Sequence, residues 1–214
     1  MSSVARPPSE YEPSAGLTGD SAGLDLPDEL MLIDGTTVSF RPIDPADADA
    51  LAAMFGQLTP ESRHRRFLSA KHWLSTKELS YFTDVDHVNH EAIVAIDHAD
   101  GSIVGEARYA GFPGTTGSAD FALVVSDRLQ HMRLGTVLAN HTVQRARRNS
   151  VALLTATTVW ENAAARALLW RLGFRARGSA GHEIELELLL TRQHLRDHRP
   201  LDRAASPWVT SGWL

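Results

Sequence analysis

The segment Leu129-Gln130-His131-Met132-Arg133-Leu134-Gly135-Thr136 carries the most legible chemistry in this chain. It follows an apolar run, Phe121 to Val125, and opens a stretch of helical spacing from Gln130 to Arg148. The first N–H groups of a helix have no partner inside it, and aligned peptide dipoles add roughly half a positive charge there. A strand, a glycine-bearing turn and a helix start therefore make a place to hold an anion such as a pyrophosphate. The same residues also read as an ordinary helix start whose Gly135 meets no ligand.

Such a turn needs a sheet behind it and helices beside it. Thr37 to Ile43 places Val38 and Phe40 on one strand face. Asp44-Pro45 starts a helix with Leu51, Met54, Phe55 and Leu58 at helical spacing. Thr59-Pro60 starts a second helix, and Ser75-x-x-Glu78 is a capping box for a third. Ala92 to Asp97 and Ser102 to Ala110 read as strands joined by an Asp100-Gly101 turn, and Ala119 to Val125 as the next strand. Val151 to Val159 suits a strand buried on both faces. Asn162 caps a helix that Gly173 ends, and Glu183 to Leu190 alternates acid and aliphatic. The order β-α-α-α-β-β-β-α-β-α-β is an α/β (α+β) plan, a mixed central sheet flanked by helices.

The 214 residues, 43% hydrophobic and 22% charged, suit one ordinary domain with a full core. The net charge of −5 argues against a nucleic-acid partner. Absence of cysteine excludes disulfides, thiolate metal sites and a cysteine nucleophile. The ten histidines show no metal-ligand spacing, so no metal is expected. No apolar run is long enough for a membrane span and no signal peptide is visible, so a soluble, cytoplasmic protein is expected. Residues 1–28, with Pro7, Pro8, Pro13 and Pro27, read as a disordered arm, 29–191 as the domain, and 192–214 as a tail. Trp208 and Trp213 in the tail suit docking on the domain or on a second subunit, and oligomeric state is left open.

Glu161-Asn162-x-x-Ala165-x-x-Leu168-x-x-Arg171-Leu172-Gly173-Phe174 is a second motif. A capped amphipathic helix accounts for Leu168, Leu172 and Gly173, but not for a Gly-Phe ending placed after a strand and an anion turn. This motif resembles the Asn-x-x-Ala-x-x-Leu hallmark of the GNAT acyltransferase superfamily. The turn resembles its acyl-CoA signature, Gln/Arg-x-x-Gly-x-Gly/Ala, with Arg133 in place of the middle glycine. Arg41-Pro42-Ile43, Leu58-Thr59-Pro60-Glu61-Ser62-Arg63, Arg66-Phe67 and Val85-Asp86-His87-Val88-Asn89-His90-Glu91-Ala92 are similar to the catalytic domain of Pat-type bacterial protein-lysine acetyltransferases. That similarity spans about residues 37 to 190. It implies a GNAT fold and transfer of an acetyl group from acetyl-CoA to an amine, a protein lysine in that group. With no cysteine nucleophile, the amine would attack directly in a ternary complex.

The resemblance also implies roles. Asp120, in Ala119-Asp120-Phe121-Ala122, falls where the Pat-type domains carry a Glu general base. One methylene shorter, it favours relay through water; the other reading is a solvent-facing carboxylate at a strand edge. Glu106 is the reserve base, or equally a surface position on an alternating strand. Backbone groups of Leu123, Val124 and Val125 would pair with pantetheine and polarise the thioester carbonyl. Gln130, His131, Met132, Arg133, Leu134, Gly135 and Thr136 would meet the pyrophosphate, and Asn162 and Ala165 the pantetheine. Arg133 either contacts phosphate or obstructs it. Leu169 stands where many members carry a tyrosine acid; Tyr109 is a substitute or a core aromatic. His87, His90, Arg63, Arg65 and Arg66 fall on the acceptor side, as ligands for an acidic substrate, a docking surface or a solvated face. An acetyltransferase of a small amine, and a non-catalytic CoA-binding or interaction module, are the alternatives. Arg133 and the shortened Asp120 motivate the second.

Overall fold

The computed structural model describes residues 27–191. The arm up to residue 26 and the tail with Trp208 and Trp213 lie outside the described residues. The last two residues of the stretch read as an arm are held on the domain. The Asp28 carbonyl accepts from the Phe40 N–H (2.9 Å), and the Pro27 carbonyl lies 3.1 Å from His141 Nε2.

Eight strands form one sheet in the order β1-β2-β3-β4-β5-β6-β8-β7. They are β1 (Glu29–Met31), β2 (Thr37–Pro42), β3 (His90–Asp97), β4 (Ile103–Gly111), β5 (Ser118–Val125), β6 (Leu153–Val159), β7 (Arg175–Ala180) and β8 (Glu183–Leu189). All neighbours are antiparallel except β5 and β6. The helices are α1 (Ala48–Gln57), α2 (Pro60–Phe67), α3 (Thr76–Thr83), α4 (Leu134–Arg148) and α5 (Ala163–Arg171).

Three of the five α-helices, α2, α3 and α5, begin at a side-chain cap. Thr59 Oγ1 accepts from the Ser62 N–H of α2 (3.2 Å). Glu78 Oε2 accepts from the Ser75 N–H (2.8 Å), closing the box at α3. Asn162 Oδ1 accepts from the Ala165 N–H of α5 (3.1 Å). Each such cap contributes about 1 kcal/mol.

The sheet separates two apolar clusters. Leu51, Met54 and Phe55 of α1 and Phe82 of α3 pack on Ala92, Val94 and Val124. Leu134, Leu138 and Val143 of α4 pack on Val38, Ile93, Ala107 and Tyr109, with Leu169 of α5 in the same cluster. Among the described residues no helix is long and apolar enough to cross a membrane.

Three features depart from the sequence reading. β1 and β7 are additional strands at the two edges. α4 starts at Leu134 rather than Gln130, because His131 and Arg133 take left-handed backbone (φ 65° and 68°), which cannot continue a helix. A 3-10 turn, Asp127–Leu129, links β5 to this bend.

Candidate active site

β5 and β6 are parallel over three rungs only: Ser118 with Leu153, Ala119 with Leu154, and Asp120 with Thr155. Beyond Asp120 they part, β5 staying with β4 and β6 with β8. The Ser118 carbonyl accepts from the Phe112 N–H (3.3 Å), and the Val104 carbonyl accepts from the Ser126 N–H (2.9 Å). Backbone direction alternates along a strand, so even-numbered residues of β5 pair with β4. Leu123 and Val125 therefore turn their backbone groups into the gap, while those of Val124 serve the sheet. Val124 supplies only its side chain to the site.

The gap is the floor of a cleft of about 890 Å³. Its walls are Asp120 to Val125 of β5, Ala156 to Thr158 of β6, Gly135 and Thr136 of α4, and Asn162, Ala165 and Leu168 of α5. A ligand can lie along the open edge of β5 without displacing any strand.

One end of the cleft is the start of α4. The Arg133 carbonyl accepts from the N–H groups of Thr136 (2.9 Å) and Val137 (3.2 Å). Among the described residues, no acceptor takes the N–H of Leu134 or Gly135. Arg133 is exposed and lines the cleft. A Cβ on Gly135 would meet Leu123 (3.4 Å) and Val125 (3.5 Å), so the glycine lets α4 approach the open strand closely. The Leu134 side chain is fully buried and Met132 packs on the core, so those two offer backbone alone. The Gln130 amide donates to the Val125 carbonyl (3.3 Å), Asp127 (3.1 Å) and Ser62 Oγ (3.2 Å). Gln130 thus ties the bend to β5 and α2.

Asp120 sits on the last paired rung and lines the cleft. It is only 7% exposed, so it is not a solvent-facing edge carboxylate. The Thr155 hydroxyl donates to Oδ1 (2.9 Å) and orients it. Its charge supports that of the buried Arg66 guanidinium, which burial opposes most and Glu106 favours.

Residues 54–174 match the family model for the acetyltransferase (GNAT) family. The chain belongs to the GNAT acetyltransferase family. An acetyltransferase of Pseudomonas aeruginosa is 33% identical over 145 residues, 67% of this chain and 77% of that protein. The acetyltransferase Pat of Mycolicibacterium smegmatis is 26% identical over 133 residues, 62% of this chain but only 40% of that longer protein. In fold, the chain resembles the GNAT domain of S. lividans PAT, with TM-score 0.68 and 24% identity over 75% of this chain and 95% of that one. It also resembles yncA from Salmonella typhimurium, solved with its cofactor acetyl-CoA, with TM-score 0.62 and 18% identity over 75% and 98%.

Against this GNAT frame, several expected residues move. Glu106 is not a surface position: it is 2% exposed, ion-paired with Arg108 and 3.5 Å from Arg66. Its two oxygens each face a guanidinium group, and it is not among the residues lining the cleft, so it is not placed to serve as the reserve base. Tyr109 is the core aromatic, packed with α4; its hydroxyl donates to the Val88 carbonyl (2.9 Å) and accepts from Asn149 Nδ2 (2.6 Å). His90 is half-buried at the start of β3, where burial and the Arg108 charge push it down to about 3. Arg108 Nη1 can only donate, so the neutral His90 accepts at Nε2 (3.1 Å) and carries its proton on Nδ1. His87 pairs with Glu91, a fully buried carboxylate also bound by Arg145 (2.8 Å). Arg63 donates to the His72 carbonyl (3.1 Å). Of the acceptor-side set, Arg65 and Arg66 line the cleft. Sequence reasoning missed Lys71 and Glu78, an ion pair also in the cleft lining. Glu78 closes the capping box of α3 with Oε2 and pairs with Lys71 through Oε1, and only the first use has a local sequence pattern. Among the described residues no cluster of three metal-ligating side chains occurs.

Proposed function

We propose that this GNAT chain uses acetyl-CoA to acetylate the ε-amine of a protein lysine, by direct attack, with Asp120 as general base. The observation that carries this reading is the position of Asp120: a buried carboxylate on the last rung of β5, beside the open backbone edge at Leu123 and Val125. The open edge suits the amides of pantetheine, and the unpartnered N–H groups of Leu134 and Gly135 suit its pyrophosphate. The thioester of acetyl-CoA supplies the acyl group.

A lysine of ordinary pKa near 10.4 arrives as an ammonium, which cannot attack. Asp120 takes its proton, directly or through a water, and Thr155 keeps that carboxylate aimed. An N–H of the open edge, Leu123 or Val125, stabilises the carbonyl oxygen as it gains charge. The sulfur leaves as a thiolate without a strong acid, since a free thiol has pKa near 8.5. A primary ammonium has room in the cleft, because Lys71 already places one there against Glu78. The resemblance to Pat-type domains supports a protein lysine in the cytoplasm as the acceptor.

Calorimetric titration with acetyl-CoA, followed by transfer to lysine peptides, tests the proposal. Micromolar binding and peptide acetylation are expected. In Asp120→Ala, turnover should fall about 10²-fold or more while acetyl-CoA affinity holds. Unchanged turnover in that variant removes Asp120 from the chemistry. Acetylation of small amines but not of peptides moves the acceptor to another class.

A further inference from the structure

Lysine is almost absent from this chain. Of 21 basic residues only two are lysine, Lys71 and Lys77, one on each side of the start of α3. Their surroundings differ. Lys77 is exposed on the helix, whereas Lys71 lines the cleft and is ion-paired with Glu78, itself buried in the same lining. This pair is on the Asp120 side. Even-numbered residues of β5 face the cluster covered by α1 and α3, shown by Val124 packing there, and Asp120 shares that face. Tyr81 follows Glu78 by three residues on α3, close to one turn of about 5.4 Å. Burial raises the Tyr81 phenol most, Arg108 opposes that, and Asp120 adds to it. The Lys71–Glu78 pair is thus about one helical turn from a side chain within electrostatic reach of the base.

We infer that Lys71 is an internal acceptor, acetylated by its own active site. This rests on the acetyl-transfer reading above. The neutral Nζ forms a bond to the thioester carbonyl carbon, and the carbon–sulfur bond breaks with its electron pair on sulfur. The amine proton passes to Asp120 and then to solvent, and the thiolate takes up a proton. The products are Nε-acetyl-Lys71 and CoA thiol, with no change in redox state. Nζ must first leave its ion pair with Glu78, so transfer is slower than turnover of a free acceptor. Tethering in the cleft compensates by making the encounter intramolecular. The product carries a neutral acetamide beside Glu78, which leaves the acceptor end of the cleft one charge more negative.

The test is to incubate the full chain with acetyl-CoA at several protein concentrations, then measure intact mass and map the acetylated peptides. One acetyl group is expected on Lys71, at a rate independent of protein concentration, with Lys77 behind it. Lys71→Arg keeps the ion pair with Glu78 and should lose that label. The unfolded chain should label both lysines alike. Equal labelling of Lys71 and Lys77 in the folded protein, or a rate proportional to its concentration, overturns the inference. No label on Lys71 from a preparation that acetylates an added lysine peptide overturns it too, and leaves the proposed function standing. A preparation that neither binds acetyl-CoA nor acetylates peptide or Lys71 defeats both.

Discussion

Arg133 occupies a backbone conformation that suits glycine better. At φ 68° a side chain is strained by about 1 kcal/mol, and this residue ends the bend before α4. The same position puts an exposed arginine in the cleft lining, directly before Leu134 and Gly135 in the chain. The two effects predict opposite changes in one variant. Arg133→Gly should gain stability of about 0.5 kcal/mol, the relief of strain being partly offset by the freer unfolded chain. It should also weaken acetyl-CoA binding several-fold, because a cation near the phosphates is lost. Thermal melts and calorimetry read the two effects separately. Tighter binding in the variant would instead make Arg133 an obstruction.

At the scale of elements, α5 depends on Asn162, whose side chain both caps the helix and lines the cleft. Asn162→Ala should cost about 1 kcal/mol of stability through the lost cap. Asn162→Ser restores a cap acceptor and should recover most of that; any affinity for acetyl-CoA still missing in the serine variant measures a contact with the ligand. The caps at Thr59, Ser75 and Asn162 were legible in the sequence because a cap is a local pattern, and so was the apolar spacing of α1 and β2. β7 was not legible, since Arg175–Ala180 is exposed throughout and shows no alternation. The start of α4 was misplaced because its left-handed residues are His131 and Arg133, not glycines. Asp120 was singled out only by the resemblance of its strand to Pat-type domains, and its burial was not legible. Nor was that of Glu106, whose partners come from α2 and from its own strand.

The whole molecule carries an unusual load of buried charge on its acceptor side. Glu106, Arg108, Arg66 and Asp120 lie together, two carboxylates against two guanidinium groups, with neutral His90 against Arg108. Removing one partner of such a group leaves an uncompensated buried charge, which is far worse than losing an exposed pair. Acid attacks this arrangement through His90. Its pKa is about 3 in the folded protein against 6.5 ordinarily, so between those values the unfolded chain holds a proton that the folded chain excludes. Stability therefore falls as pH drops through that window, by on the order of 5 kcal/mol over its full width. That is a large share of the net stability of a typical domain. His90→Gln offers Arg108 an acceptor but takes up no proton. Thermal melts from neutral pH downward should show a shallower fall for this variant than for the native chain. Asp86 separates from this effect by its position on the pH scale. Despite burial, hydrogen bonds from the backbone of His90 and Val88 and from Asn89 hold its carboxyl down to about 2, so its contribution is lost only below pH 3.8. Parallel curves for the two proteins above that pH would show that His90 is not the group through which acid unfolds the chain.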